Sequence, residues 1–267
     1  MNERRNKLIE VFKDTLRQIN EDEDLLDSCD ESRRNTIFYP ADKYFDLKDS
    51  KIKKGEVFVN EYNTFQDASR LHKLYPNKKI CVLNFASATN PGGYVRGGSS
   101  AQEESLCRCS TLYTVINVRY LYTKYYEPNK EKDDPLYSDA LVYTPNIKVI
   151  KNDEDYSTRL DKKDYFDVDV ITCAAPNLRD IEISDKELYD LHLSRAKHIL
   201  NIAAYHDADI IILGAFGCGA FKNNPNVVAS AYKEVLKEYR KYFDIVDFAV
   251  YHREYEIDNY LAFKSIL

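Results

Sequence analysis

Two hydrophobic periods alternate along the chain. Short apolar runs at Glu56–Asn60, Lys79–Asn84, Ala140–Thr144, Ile147–Ile150, Asp167–Ala174, Asp209–Leu213 and Ile245–Tyr251 predict strands. Asp167–Ala174 alternates and then turns continuously apolar, as a strand buried on both faces does. Between the runs, apolar residues recur at helical spacing. Residues 2–20 place Leu8, Val11, Phe12, Thr15 and Ile19 on one face, and Asn63–Tyr75 does the same with Phe65, Ala68, Leu71 and Tyr75 before Pro76 stops it. Ser184 with Glu187 opens a long helix to about His206, and Asn224-Pro225 supplies an N-cap and first-turn proline for a helix carrying Val228, Ala231, Val235 and Tyr239. The chain closes in a short element near 259–266. Thr36–Tyr39 reads as a short strand, and Tyr120–Tyr126 as helical or irregular. The acidic stretch Glu21–Glu31 reads as a solvated connection, Lys48–Lys54 as a loop, Asn129–Pro135 as a polar breaker and Asp153–Asp164 as a surface excursion. Ala140–Thr144 and Ile147–Ile150 form a hairpin around Pro145-Asn146 in this reading.

Strands that alternate with helices from Glu56 onward imply a mixed or parallel sheet covered on both faces. No repeat or low-complexity linker divides the 267 residues, so one domain spanning 1–267 is expected.

The stretch Val82–Tyr113 departs from this regularity. Its strand drops into a loop holding Pro91, Gly92, Gly93, Gly97 and Gly98, then enters a helix on which Leu106, Cys109, Tyr113 and Ile116 share a face. Ser100 and Glu103 fit a capping box at its start. Strand, glycine-rich loop and helix N-terminus together make an anion-binding arrangement. Glu103 and Glu104 stand at that same N-terminus. As sequence neighbours on a helix they diverge by about 100°, so they need different tasks. A second strand, Asp209–Leu213, runs into Gly214-Ala215-Phe216-Gly217-Cys218-Gly219-Ala220-Phe221 with the same logic, and two such loops can grip a diphosphate from both sides.

Charge sharpens this picture. The net charge is −6 with no basic block, which argues against an electrostatic or sequence-specific reader of nucleic acid. A phosphate cradle here must therefore rely on backbone N–H groups. No segment reaches transmembrane length, and no apolar signal core follows Met1-Asn2-Glu3-Arg4-Arg5. The six cysteines show neither C-x-x-C nor zinc spacing, and the five histidines show no metal motif. Reduced thiols in a cytoplasmic protein, with no metal and no cofactor, are the expectation.

Asn90-Pro91-Gly92-Gly93, a glycine-rich spacer and Gln102-Glu103-Glu104 resemble the signature of bacterial-type poly(ADP-ribose) glycohydrolases, which are macrodomain proteins. The family pattern has three glycines before the spacer; here Tyr94 replaces the third. The resemblance extends to Leu213–Pro225 and to the Ala174–Leu178 turn. It implies a three-layer α/β/α macrodomain-like mixed sheet with an N-terminal helical extension over residues 1–50. It also implies hydrolysis of the O-glycosidic linkages of ADP-ribose, with ADP-ribose or poly(ADP-ribose) on modified macromolecules as partner. Glu104 would be the catalytic acid and Glu103 a partner of ribose hydroxyls. Asn84, Asn90, Gly92, Gly93, Gly97, Gly98, Gln102, Gly217, Cys218, Gly219, Ala220 and Phe221 would bind the ligand, with Phe221 against the distal ribose.

From the residues alone, plainer assignments stand beside these. Glu103 also suits a cap, Glu104 an exposed pair with Arg108, Asn84 and Asn90 turns, and Phe221 the core. Arg96 and Lys222 suit either a phosphate site or solvated loop tips. Tyr94 either covers the distal ribose, favouring chain ends, or faces solvent without effect. A mono-ADP-ribosyl hydrolase, a reader module without turnover and a nucleotide-processing enzyme acting on a small ADP-ribose metabolite are the alternative functions; an intact Glu104 favours an enzyme over the reader.

Overall fold

The computed structural model describes residues 3–47, 52–253 and 256–267. Two helices, α1 (Glu3–Asn20) and α2 (Glu23–Asn35), lead into β1 (Ile37–Tyr39), β2 (Glu56–Asn60), α3 (Thr64–Leu74) and β3 (Ile80–Phe85). After the glycine loop come α4 (Gln102–Cys109), α5 (Leu112–Ile116), α6 (Arg119–Leu121), a π-helical turn and α7 (Glu127–Lys132). The remainder is β4 (Leu141–Val149), β5 (Phe166–Cys173), α8 (Asp185–Tyr205), β6 (Ile210–Leu213), α9 (Pro225–Tyr239), β7 (Ile245–Ala249) and α10 (Asp258–Ile266).

The seven strands form one sheet in the order β1-β4-β5-β3-β6-β7-β2. From β5 to β2 all neighbours are parallel, while β4 runs antiparallel to both β1 and β5. Successive side chains of a strand leave on opposite faces. Val82 and Ile212 therefore join Phe12, Ile19, Leu25, Phe65 and Leu106 in one core, whereas Leu83 and Ile211 join Ile199, Val228, Tyr232 and Phe263 in the other. Helices thus cover both faces, as the periodicity predicts, and the fold is the expected α/β/α mixed sheet.

Six local expectations change. The acidic stretch is helical: Asp22 caps α2, whose buried Leu25, Cys29 and Ser32 recur at one-turn spacing beneath the charges. Ser32 Oγ donates to the carbonyl of Asn146 and Arg33 to that of Thr114, so α2 is clamped to the body rather than solvated. The helix after the first loop breaks at Ser110, which bridges to Val149, and Thr111 N–H donates to Lys148; pairing with the sheet overrides the helical period. The Pro145-Asn146 turn is a bulge in one strand rather than a hairpin. Register shifts between Thr144 and Ile147, and Asp169 on β5 accepts the Asn146 N–H across the gap at 3.1 Å. Asp153 is buried, its carboxylate accepting from Phe65 N–H and Ser105 Oγ, so 153–164 is anchored and not merely superficial. Tyr75 caps α3 and is exposed. Residues 127–132 of the polar breaker region are helical, and the expected loop 48–54 lies partly outside the described residues.

Candidate active site

Sheet order reverses around β3, with β5 on one side and β6 on the other, and all three are parallel. The carboxyl ends of such strands open a crevice where α/β sheets bind ligands. Both glycine loops and the Ala174–Leu178 turn leave the sheet there.

The first loop is built around two carboxylates. Glu103 is buried, and its oxygens accept from Ser87 N–H at 2.7 Å, Gly92 N–H at 3.1 Å and Asn84 Nδ2 at 3.3 Å. These bonds replace the capping box; α4 starts after Ala101 with no side-chain cap. Burial, reinforced by the neighbouring Glu104 charge, pushes Glu103 up to about 8 against the pull of its three donors. Glu104 is also buried, but among the described residues only Oε1 is engaged, accepting from Tyr94 N–H at 3.0 Å. The two side chains diverge from the helix yet reach the same glycine: a Cβ on Gly93 would lie 2.6 Å from Glu104 Oε1 and 3.2 Å from Glu103 Oε2. The exposed Glu104–Arg108 pair does not form; Arg108 is buried and donates to the Ser99 carbonyl at 2.6 Å.

Much of this loop faces inward. Gly92, φ +71°, packs on Tyr113 and Cys107; Gly97 lies under the Tyr94 ring; Gly98, φ +74°, abuts Arg5 of α1. Their N–H groups serve Glu103, Tyr94 O and Val95 O, and those of Gly93, Val95 and Ser99 are engaged within the loop too. These N–H groups are therefore not free for an anion. Gln102 is an anchor: its amide accepts from Phe85 N–H and donates to Leu83 O and Thr64 Oγ1, extending β3 hydrogen bonding into α4. Asn84 is fully buried beneath Glu103, bonded to it and to Thr172. Arg96 turns back onto Tyr113, donating to its hydroxyl at 2.8 Å. Asn90 remains exposed at the loop rim. Tyr94 has φ −111°, which any L-residue adopts, and its exposed ring lies against Gly97 with the Arg5 guanidinium 5.5 Å away.

The second loop is the opposite case. Gly214 lets the chain pass the Ala249 carbonyl, and Gly217, φ +81°, sits where a Cβ would strike Ala175 and Asn223. Beyond them Gly219 and Ala220 are exposed, and a Cβ on Gly219 would meet nothing within 4 Å. Among the described residues no hydrogen bond engages the N–H of Gly217, Gly219, Ala220 or Phe221. Here the backbone presents donors outward, the requirement for binding an anion without basic side chains. Cys218 is partly buried, its thiol pushed up by burial. Phe221 is half-buried, with the Arg179 guanidinium 5.6 Å from its ring centroid. Lys222 is exposed with φ +58°.

Ser87, Arg179, His192 and Asn223 were not singled out by sequence. Ser87 acts through its backbone N–H, and the others lie on separate elements brought together only by the fold.

A family model described as microbial-type PARG, catalytic domain, matches residues 10–152. Comparison with curated protein sequences gives no significant match. Among solved structures, poly(ADP-ribose) glycohydrolase from Thermomonospora curvata bound to the inhibitor ADP-HPD is similar with TM-score 0.86 and 28% identity, over 98% of this chain and 100% of that one. Poly(ADP-ribose) glycohydrolase from Deinococcus radiodurans in complex with ADP-ribose is similar with TM-score 0.78 and 30% identity, over 90% and 96% of the two chains. Among the described residues no helix is long and apolar enough to cross a membrane.

Proposed function

Because this chain belongs to the microbial-type poly(ADP-ribose) glycohydrolase family, we propose that it hydrolyses the ribose–ribose O-glycosidic bonds of poly(ADP-ribose), with Glu104 as general acid. One observation carries the assignment of roles. Glu104 is held through a single oxygen by Tyr94 N–H, whereas both oxygens of Glu103 are occupied by donors. A proton donor needs an oxygen that is not already accepting a fixed N–H. Glu104 has one; the Glu103 oxygens are already engaged by Ser87, Gly92 and Asn84.

In this mechanism the outward N–H groups of Gly217, Gly219, Ala220 and Phe221 receive the diphosphate, and Phe221 lies beside the distal ribose. Binding energy from that grip fixes the anomeric carbon against Glu104. Glu104 gives its proton to the departing ribose oxygen as the C–O bond breaks, leaving an oxocarbenium-like centre. Water adds to that carbon and returns a proton to the Glu104 carboxylate. The products are free ADP-ribose and a polymer shortened by one unit. Asn90, exposed at the rim, is the remaining first-loop candidate for a ribose hydroxyl. The whole chain, with α1 and α2 as an N-terminal extension, acts as one domain in this proposal.

Incubating the protein with purified poly- and mono-ADP-ribosylated protein, with products resolved by size, tests the assignment. Release of ADP-ribose from polymer is expected. Release only from the mono-modified substrate would favour the mono-ADP-ribosyl hydrolase, and tight binding with no release a reader.

A further inference from the structure

The second loop is braced from behind by two buried side chains on different elements. Asn223 follows the loop and His192 lies on α8; both are almost fully buried. The Asn223 amide nitrogen donates to the carbonyls of Pro176 at 2.7 Å and Phe221 at 3.0 Å. Those two acceptors fix which end of the amide is nitrogen, so Oδ1 must be the atom 2.7 Å from His192 Nε2. An amide oxygen only accepts. The imidazole is therefore the Nε2–H tautomer, donating to Asn223. Burial holds His192 down at about 4, so it stays neutral through the physiological range and keeps that tautomer. The ring also packs edge-on against Phe216 inside the loop, with centroids 5.9 Å apart. Asn223 N–H donates to the Gly217 carbonyl at 3.1 Å, and Gly217 approaches the Asn223 side chain so closely that a Cβ would lie 2.9 Å from it.

Asn223 thus ties together the β5 exit turn at Pro176, the segment's far end at Phe221 and α8 at His192 through its side chain, and the segment's near end at Gly217 through its backbone N–H. We propose that Asn223 and His192 are positioning residues that hold the Gly217–Phe221 N–H groups in one orientation toward the ligand diphosphate. The inference rests on the assignment of that loop as the diphosphate holder. Neither side chain needs to touch ligand. Removing the imidazole donor leaves a buried acceptor unpaired and frees the amide to rotate.

The test compares ADP-ribose affinity by calorimetry, together with kcat and KM on polymer, for wild type, His192→Phe, His192→Gln and Asn223→Asp. Phenylalanine keeps the ring packing and drops the donor; Kd for ADP-ribose and KM should rise about 10-fold, the scale of one lost buried hydrogen bond. The kcat at saturation should change less than about threefold, since Glu104 is seated by the other loop. His192→Gln restores an N–H donor and should return affinity to within about threefold of wild type. A purely structural role would lower Tm without this rescue pattern. A cooperatively folded His192→Phe that binds ADP-ribose like wild type overturns the proposal. If His192→Phe does not fold, Asn223→Asp decides, because it keeps the acceptor but loses both amide donations; wild-type affinity there overturns the proposal equally. Wild type that binds no ADP-ribose would instead defeat the loop assignment itself, and this inference with it.

Discussion

Gly93→Ala puts the smallest possible side chain against the two carboxylates. Gly93 sits at φ +56°, where an L-residue is strained by roughly 1–2 kcal/mol. In a chain of this size that lowers Tm by about 2–8 °C. The larger effect is local. The new Cβ would lie 2.6 Å from Glu104 Oε1, and reaching ordinary contact at 3.4 Å requires the carboxylate to retreat by about 0.8 Å. That retreat stretches the single Tyr94 N–H bond seating the acid, now 3.0 Å long. A displacement near 1 Å costs about 10² in rate when it misaligns a reacting group. The N–H groups proposed to hold the diphosphate lie on the other loop and are untouched. The alanine variant should therefore lose about 10²-fold in kcat on polymer, while ADP-ribose affinity by calorimetry stays within about threefold. A folded variant retaining more than a third of wild-type kcat would refute the claim that Gly93 exists to seat Glu104. Equal loss of kcat and ADP-ribose affinity would show that the first loop also holds the ligand.

A Cβ at Gly219 meets nothing within 4 Å, so Gly219→Val should act on the ligand side; severe weakening of ADP-ribose binding is expected by calorimetry, and unchanged affinity would make the loop structural. Burial raises Glu103 to about 8, so its ionisation opposes folding increasingly as pH rises from the unfolded value near 4.3 toward 8. Glu103→Gln does not titrate; its Tm relative to wild type should climb between pH 5 and 8 in thermal melts, and parallel curves would contradict the shift. Tyr94→Gly should leave the ratio of polymer to mono-modified turnover unchanged, because the tyrosine already has an ordinary φ and its ring rests on Gly97 beside Arg5. A several-fold gain on long polymer would instead place the ring over the chain-continuing end of the ligand.

The sheet and most helices were legible because their signals are local: buried strands read as apolar runs, and Ser184 and Asn224 do cap α8 and α9. α2 was hidden because seven of its thirteen residues are charged, while its inward face holds only Leu25, Cys29 and Ser32. The β4 bulge was read as a turn because Pro145-Asn146 carries turn chemistry, and only Asp169 on the neighbouring strand explains why the strand continues. In the site, residue types were informative but orientation was not. Seven of the eight glycines fall in the two loops, yet three of the first-loop glycines serve packing against Tyr113, Tyr94 and Arg5. Whether an N–H points at a ligand or at Glu103 depends on backbone geometry, which no spacing rule encodes. Gln102 of the motif and Asn84 of β3 show the same limit: both are polar, and both hydrogen-bond the scaffold.

Glu104→Gln tests the central claim most directly. Glutamine preserves size and an acceptor for Tyr94 N–H, and it removes only the transferable proton. Release of ADP-ribose from purified polymer at saturating substrate should fall by roughly 10²–10⁴-fold, with ADP-ribose binding close to wild type. Turnover at the wild-type rate in a folded Glu104→Gln protein would contradict the account.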